Sequence, residues 1–194
     1  MLSIISRFNL FEKTIKNKRS LWQWVDDTFN RFDEERTKEI GSNLACAEWL
    51  MKNGAQVRFK GCKEFVSHYD CLTTGQDRSI KQLKIEQVYA GKEATISHIG
   101  FNYFKDCENI SDIAFVGCHT INNKALNKLQ ILKNCLTSLK ISSCVNISDE
   151  GILDIEYLQL LNHLELKNIQ FKNQIKVIDH LKSKLPQCNI IFSE

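Results

Sequence analysis

The 194-residue sequence predicts an α/β fold, a short ladder of parallel strands alternating with helices and preceded by a helical N-terminal cap. Three observations carry the prediction. First, Ile110, Ile113, Phe115, Cys118, Ile121 and Leu126 are matched position for position by Leu136, Leu139, Ile141, Cys144, Ile147 and Ile152, each pair 26 residues apart. Second, the strand part of this pattern recurs on both sides. Ile80, Leu83, Ile85 and Val88 lie 30 residues before the first copy, Leu161, Leu164, Leu166 and Ile169 lie 25 after the second, and Leu185, Cys188 and Ile190 lie 24 further on. Third, the segment before the repeats has helical rather than alternating periodicity. The pattern L-x-x-L-x-L followed by Cys and Ile is that of a leucine-rich repeat. It forms a short strand with alternate residues inward, a turn filled by Cys, and a return as helix. One such unit cannot bury its own apolar face, so the copies must stack into a solenoid.

Taken in order, residues 1–20 carry Arg7, Lys13, Lys16, Lys18 and Arg19 against one acid, Glu12, with Leu2, Ile5, Phe8, Phe11 and Ile15 near one helical face. This is the character of a mitochondrial targeting segment, with an ordinary exposed basic helix as the alternative because Glu12 is unusual in such segments. Removing it changes the balance from 26 basic and 23 acidic residues to 21 against 22, which disfavours nucleic acid as a partner. The cap is expected over 21–76. Leu21, Val25, Phe29 and Phe32 recur at helical intervals, and Trp22 and Trp24 cannot share that face, so one should pack on the ladder end and the other face a partner. A second helix is signalled by Ser42 as N-cap, by Leu44, Ala45, Ala47, Leu50 and Met51, and by Gly54 past its end. Ala55, Val57 and Phe59 then alternate as a strand, and a polar loop runs from Lys60 to Ser79. The repeats occupy 77–194. Their last helix, marked by Ile175, Ile178, Leu181 and Leu185, is stopped by Pro186, and an edge strand closes the sheet.

Composition removes several function classes. No apolar run approaches the roughly 20 residues of a membrane-spanning helix. The eight cysteines contain no C-x-x-C pair, and Cys118 and Cys144 fall at inward positions of the repeat, so all are expected as free thiols. Cys62, His68 and Cys71 offer three zinc ligands without a fourth or a standard spacing, which argues against zinc. No nucleophile motif, phosphate-binding loop or carboxylate pair is present, and His68 with Asp70 has no nucleophile to serve, so the chain is not expected to be an enzyme. With Leu83 and Ile85 inward, the outward row of the ladder is expected to be Lys84, Ala114, Lys140, Glu165 and Asn189, flanked by Gln82, Asp112, Ser138 and His163. Lys84, Asp112, Lys140, His163 and Glu165 are therefore the candidate partner-binding residues, on a face of mixed charge that suits docking to a protein.

Several segments carry a more selective resemblance. They are Leu21-Trp22-Gln23-Trp24-Val25, Phe29-Asn30-Arg31-Phe32-Asp33, Ala47-Glu48-Trp49-Leu50 and Asn53-Gly54-Ala55-Gln56-Val57-Arg58-Phe59. With Ile99-Gly100-Phe101 and the run from Ile141 to Ile152, they resemble the family of mitochondrial ATP synthase subunit s, or coupling factor B. The distal membrane-arm assembly proteins of respiratory complex I belong to the same family. The resemblance implies peripheral binding to the ATP synthase on the matrix side of the inner membrane, in support of coupling proton conduction to ATP synthesis, and alternatively assembly of the complex I membrane arm. It also implies a magnesium ion held through backbone carbonyls at Gly54 and Gly91. A glycine past a helix end does leave carbonyls that a hard cation could use, and it also serves as a plain helix cap. Val116-Gly117-Cys118 stands where vertebrate members have a C-x-C pair, so any role of a vicinal dithiol does not transfer. A leucine-rich-repeat adaptor of a ubiquitin ligase is the alternative of another class, and the missing L-P dipeptide near the N-terminus counts against it.

Overall fold

The computed structural model describes residues 21, 24, 28–70 and 82–193. Residues 1–20, Trp22, Val25, Cys71 and Ile80 lie outside this set, and so does the expected targeting segment. The architecture is α/β: one six-stranded sheet with strands in sequence order, parallel except for the first pair. The elements are α1 (Glu34–Ile40), α2 (Ser42–Lys52), β1 (Gln56–Phe59), β2 (Ile85–Ala90), a 3-10 turn (Gly100–Phe104), β3 (Asp112–Val116), α3 (Asn123–Lys128), β4 (Ser138–Ser142), α4 (Asp149–Leu153), β5 (His163–Lys167), α5 (Gln174–Lys184) and β6 (Asn189–Ser193).

The inner face of the sheet follows from the period of two along each strand. Ile113, Leu139 and Leu164 stand in one row, and Phe115, Ile141 and Leu166 in the next, all buried. Each of these three strands leaves the sheet through a residue in the left-handed region, Gly117 at φ 66°, Ser143 at 54° and Asn168 at 55°. Each also donates its N–H to the following strand, Gly117 to Ser142, Ser143 to Lys167 and Asn168 to Ser193, at 2.8 to 2.9 Å. A turn that costs Ser and Asn some backbone strain is thus fixed by a main-chain bond to the next row. Cys118 and Cys144 follow these turns and are buried, with Cys144 Sγ directed at the Phe115 carbonyl one row back.

Two expected registers are corrected. β2 aligns with β3 through Val88 opposite Ile113 and Ala90 opposite Phe115, a spacing of 25 and not 30. The physical reason is that the inward positions of β2 opposite Ile113 and Phe115 are Val88 and small Ala90, while Leu83 and Ile85, five residues earlier, imitate the motif. Leu83 precedes the strand and is only half-buried against the core. At the other end Ile190 stands opposite Leu164 and Phe192 opposite Leu166, a spacing of 26 and not 24, because Leu185 belongs to the helix exit and not to the strand pattern.

The cap packs around α2, whose residues Asn43 to Met51 are all buried. Its N-cap is Gly41 at φ 89°, not Ser42, which is the first helical residue. Trp49 stacks on Tyr103 with ring centroids 5.3 Å apart and meets Phe104 edge-on at 5.6 Å. Through these rings the cap joins the core that continues to Phe115. Helix α1 was not foreseen. None of its residues is buried, and it is held by the Asp33 cap on the Arg36 N–H and by the Lys38–Glu34 pair at 2.8 Å. Trp24 is exposed. No helix among the described residues is long and apolar enough to cross a membrane.

Candidate functional site

The outward face of the sheet is built by the residues that alternate with the buried rows. One row runs Gln87, Asp112, Ser138, His163 and Asn189, and the next Tyr89, Ala114, Lys140, Glu165 and Ile191. β1 extends both rows, with Arg58 opposite Gln87 and Gln56 opposite Tyr89. The structure therefore brings Asp112, Lys140, His163 and Glu165 together on one face. Lys84 lies outside it, before the start of β2, with its carbonyl accepting from the Lys60 N–H at 2.8 Å. Tyr89 takes the position expected for Lys84, and Ile191 the position expected for Asn189.

The charges on this face are paired across strands. Lys140 Nζ lies 2.8 Å from Glu165, both partly exposed. Arg58 makes three contacts, to Glu86 at 2.7 Å, to the Gln87 amide oxygen at 2.9 Å and to the Cys62 carbonyl at 3.0 Å. Asp112 accepts from the neighbouring Ser111 hydroxyl. Phe65 packs edge-on to Tyr89, with centroids 6.5 Å apart, and makes the β1 end of the face more apolar. Partly exposed ion pairs of this kind contribute roughly 0 to 1 kcal/mol to stability, so their chemical value is in presenting fixed charges of both signs on the outward face of the sheet. Arg58 and Tyr89 were missed as members of the face, and the signal that could have found them is the spacing of 25 residues that places Val88 at the position of Ile113.

Gly54 and Gly91 sit in two turns that the fold presses together. Gly54 follows the end of α2 at φ 76°, and a Cβ there would come within 3.0 Å of the Glu93 carbonyl oxygen. The Asn53 carbonyl accepts from the Thr95 N–H at 2.9 Å, and the Gly91 carbonyl accepts from the Ala94 N–H at 3.0 Å. A glycine is thus required at position 54 both by its backbone angle and by the approach of the second turn. Among the described residues no group of three His, Cys, Asp or Glu side chains could hold a metal. A cation at these turns would rely on main-chain oxygens and water, a donor set that fits a hard ion such as magnesium and not zinc.

No protein-family model matches the chain. It is similar to proteins named ATP synthase subunit s, mitochondrial, from several mammals. The rat protein is 31% identical over 156 residues, covering 79% of this chain and 76% of the relative. The bovine protein is 29% identical over 90% of this chain and 88% of its own, and the human protein 29% identical over 90% and 87%. With identity at this level extending through cap and sheet alike, the chain belongs to the family of mitochondrial ATP synthase subunit s.

Proposed function

We propose that the chain is a non-enzymatic mitochondrial protein that associates peripherally with the inner-membrane ATP synthase from the matrix side and supports the coupling of proton conduction to ATP synthesis. The observation that carries this reading is the match, over 79% to 90% of the chain, to relatives named as mitochondrial subunits of that enzyme. The geometry supports a docking role. The outward face joins fixed charges of both signs at Lys140, Glu165 and Arg58 to the half-buried Tyr89 and the exposed Ile191, the mixture that gives a protein interface its register.

Residues 77–194 form a leucine-rich-repeat solenoid in this reading, and 21–76 its cap. The left-handed exits at Gly117, Ser143 and Asn168, spaced by one repeat, support it. Residues 1–20 serve as the targeting segment. Magnesium is carried as a structural ion between the turns of Gly54 and Gly91, where it would tie the end of α2 to the turn that follows β2. Calorimetric titration of the whole protein with magnesium chloride tests that part. Saturable heat with a raised melting temperature is expected, and neither effect at millimolar metal leaves Gly54 as a helix-terminating glycine alone.

Disruption of the gene, followed by native-gel resolution of the respiratory complexes and proton-conductance measurement in the same membranes, tests the main reading. Loss of coupled proton conduction with complex I intact is the expected result. A missing complex I membrane arm would assign the chain to assembly of that complex, and recovery from the cytosol with ubiquitin-ligase subunits would overturn both mitochondrial readings.

A further inference from the structure

The two ends of the sheet are finished differently. At the first, the open side of β1 is covered: the Val57 N–H donates to the Val66 carbonyl at 3.0 Å and the Val66 N–H to the Val57 carbonyl at 2.8 Å. At the other, β6 has β5 on one side and no strand on the other among the described residues.

Main-chain accounting shows what that edge offers. The Asn189 N–H donates to the Asn162 carbonyl at 2.8 Å, and the Ser193 carbonyl accepts from the Asn168 N–H at 2.9 Å. In a parallel ladder a residue directs both its N–H and its C=O to the same neighbour, and the next residue directs both the other way. Asn189, Ile191 and Ser193 therefore bond to β5, and Ile190 and Phe192 turn a donor and an acceptor each to the open side. Natural edge strands are guarded by lysine, proline or a bulge. This one reads Asn-Ile-Ile-Phe-Ser and has none of them.

Beside the edge lies a cavity of about 550 Å³, whose wall combines apolar Leu166, Ile169, Phe171 and Phe192 with polar residues that include Ser143 and Gln174. Phe171 and Phe192 meet edge-on with centroids 5.9 Å apart. Two exposed lysines stand close by: Lys167 lies in register with Ser193 at the end of β6, and Lys172 follows Phe171 in the chain. The nearby acid Asp149 is already engaged by the main-chain N–H groups of Lys172 and Asn173 at 2.9 Å.

We propose that β6 receives an extended acidic segment of a partner protein as a further strand, with one apolar side chain of that segment packed in the cavity against Phe171 and Phe192. Main-chain bonds to Ile190 and Phe192 supply affinity, and the cavity and lysines supply selectivity. A second copy of this chain is the poorer occupant, because its β6 carries no acidic residue to complement Lys167 and Lys172.

The test uses the full chain and a fluorescein-labelled Glu-Val-Glu-Val-Glu-Val-Glu peptide, with the Lys-Val analogue as control. Saturable anisotropy with the acidic peptide alone is expected, together with slowed amide exchange at Ile190 and Phe192 and no change at Asn189 or Ile191. The double variant Lys167→Glu, Lys172→Glu should weaken the acidic peptide about tenfold with its melting temperature unchanged. Absent binding, equal binding of the lysine peptide, or binding that leaves the two amides unprotected would overturn the proposal. So would protection of those amides without peptide in a protein that elutes as a dimer.

Discussion

Asn30 and Trp49 are joined side chain to side chain inside the cap, the indole N–H donating to Asn30 Oδ1 at 3.1 Å. The same oxygen accepts from the Ser97 N–H at 2.9 Å, and the Asn30 amide nitrogen donates to the Thr95 carbonyl at 3.0 Å. Asn30 is fully buried. One amide thus ties the segment before α1 to the indole of α2 and to the loop after β2. Asn30→Ala strands two buried donors, each worth about 1 to 3 kcal/mol when left unsatisfied. Urea unfolding should show a loss of about 2 to 4 kcal/mol. A loss below about 1 kcal/mol would mean that water replaces the amide without difficulty.

Glu48 on α2 gives the cap a pH dependence. Burial pushes its carboxyl up, and bonds to Lys52 and to Arg36, the latter at 3.1 Å, more than offset this and hold it below the ordinary carboxylate range. A carboxyl depressed in the folded state contributes stability above its ordinary value of 4.5 and loses it as pH falls through the lower folded value. Asp149, where burial pushes the carboxyl up but the Lys172 and Asn173 N–H groups together with its other partners outweigh it, acts in the same direction. Stability followed from neutral pH down through the carboxylate range should therefore decline, and Glu48→Gln should flatten that decline while lowering stability at neutral pH. An unchanged slope would show that the Arg36–Glu48–Lys52 group is not formed in solution.

The thiols should separate by burial. Cys144 is pushed up to about 11 by burial, and Cys46, Cys107 and Cys118 are as fully enclosed, whereas Cys62 is exposed. Iodoacetamide on the native protein at mildly alkaline pH should modify Cys62 first and leave Cys46, Cys107, Cys118 and Cys144 untouched, because the thiolate is the reactive form. In protein that has not been alkylated, denaturation without reductant should expose every thiol in the chain, eight in all. Fewer would mean that a disulfide forms in the protein's own compartment.

The sequence made the middle of the sheet legible and its ends less so. Ile113 and Leu139 pair as their spacing of 26 requires, since each is a large apolar residue in an unbroken repeat. β2 was misaligned because its inward positions end in Ala90, too small to read as a strand leucine, whereas Leu83 and Ile85 five residues earlier imitate the motif. α1 has no apolar face, so periodicity could not find it, although Asp33 followed by Glu34 and Glu35 is a helix-start signal. Asn30 stands in the sequence only as a polar residue among the helically spaced Leu21, Val25, Phe29 and Phe32, and its role depends on Trp49 and Ser97, which only the tertiary fold brings to it. On the candidate face, Asp112, Lys140, His163 and Glu165 were legible from the repeat. Arg58 and Tyr89 depended on the register of β2 and were not.

Association with the ATP synthase through the outward face is most directly tested by comigration on native gels of purified enzyme with the wild-type chain and with the double variant Lys140→Glu, His163→Asp. The replaced side chains are part-exposed and outward-facing, so the variant's melting temperature should be within a few degrees of wild type. The account predicts that the wild-type chain comigrates with the enzyme and that the variant, folded to the same extent, does not. Equal comigration of both, or of neither, would contradict it.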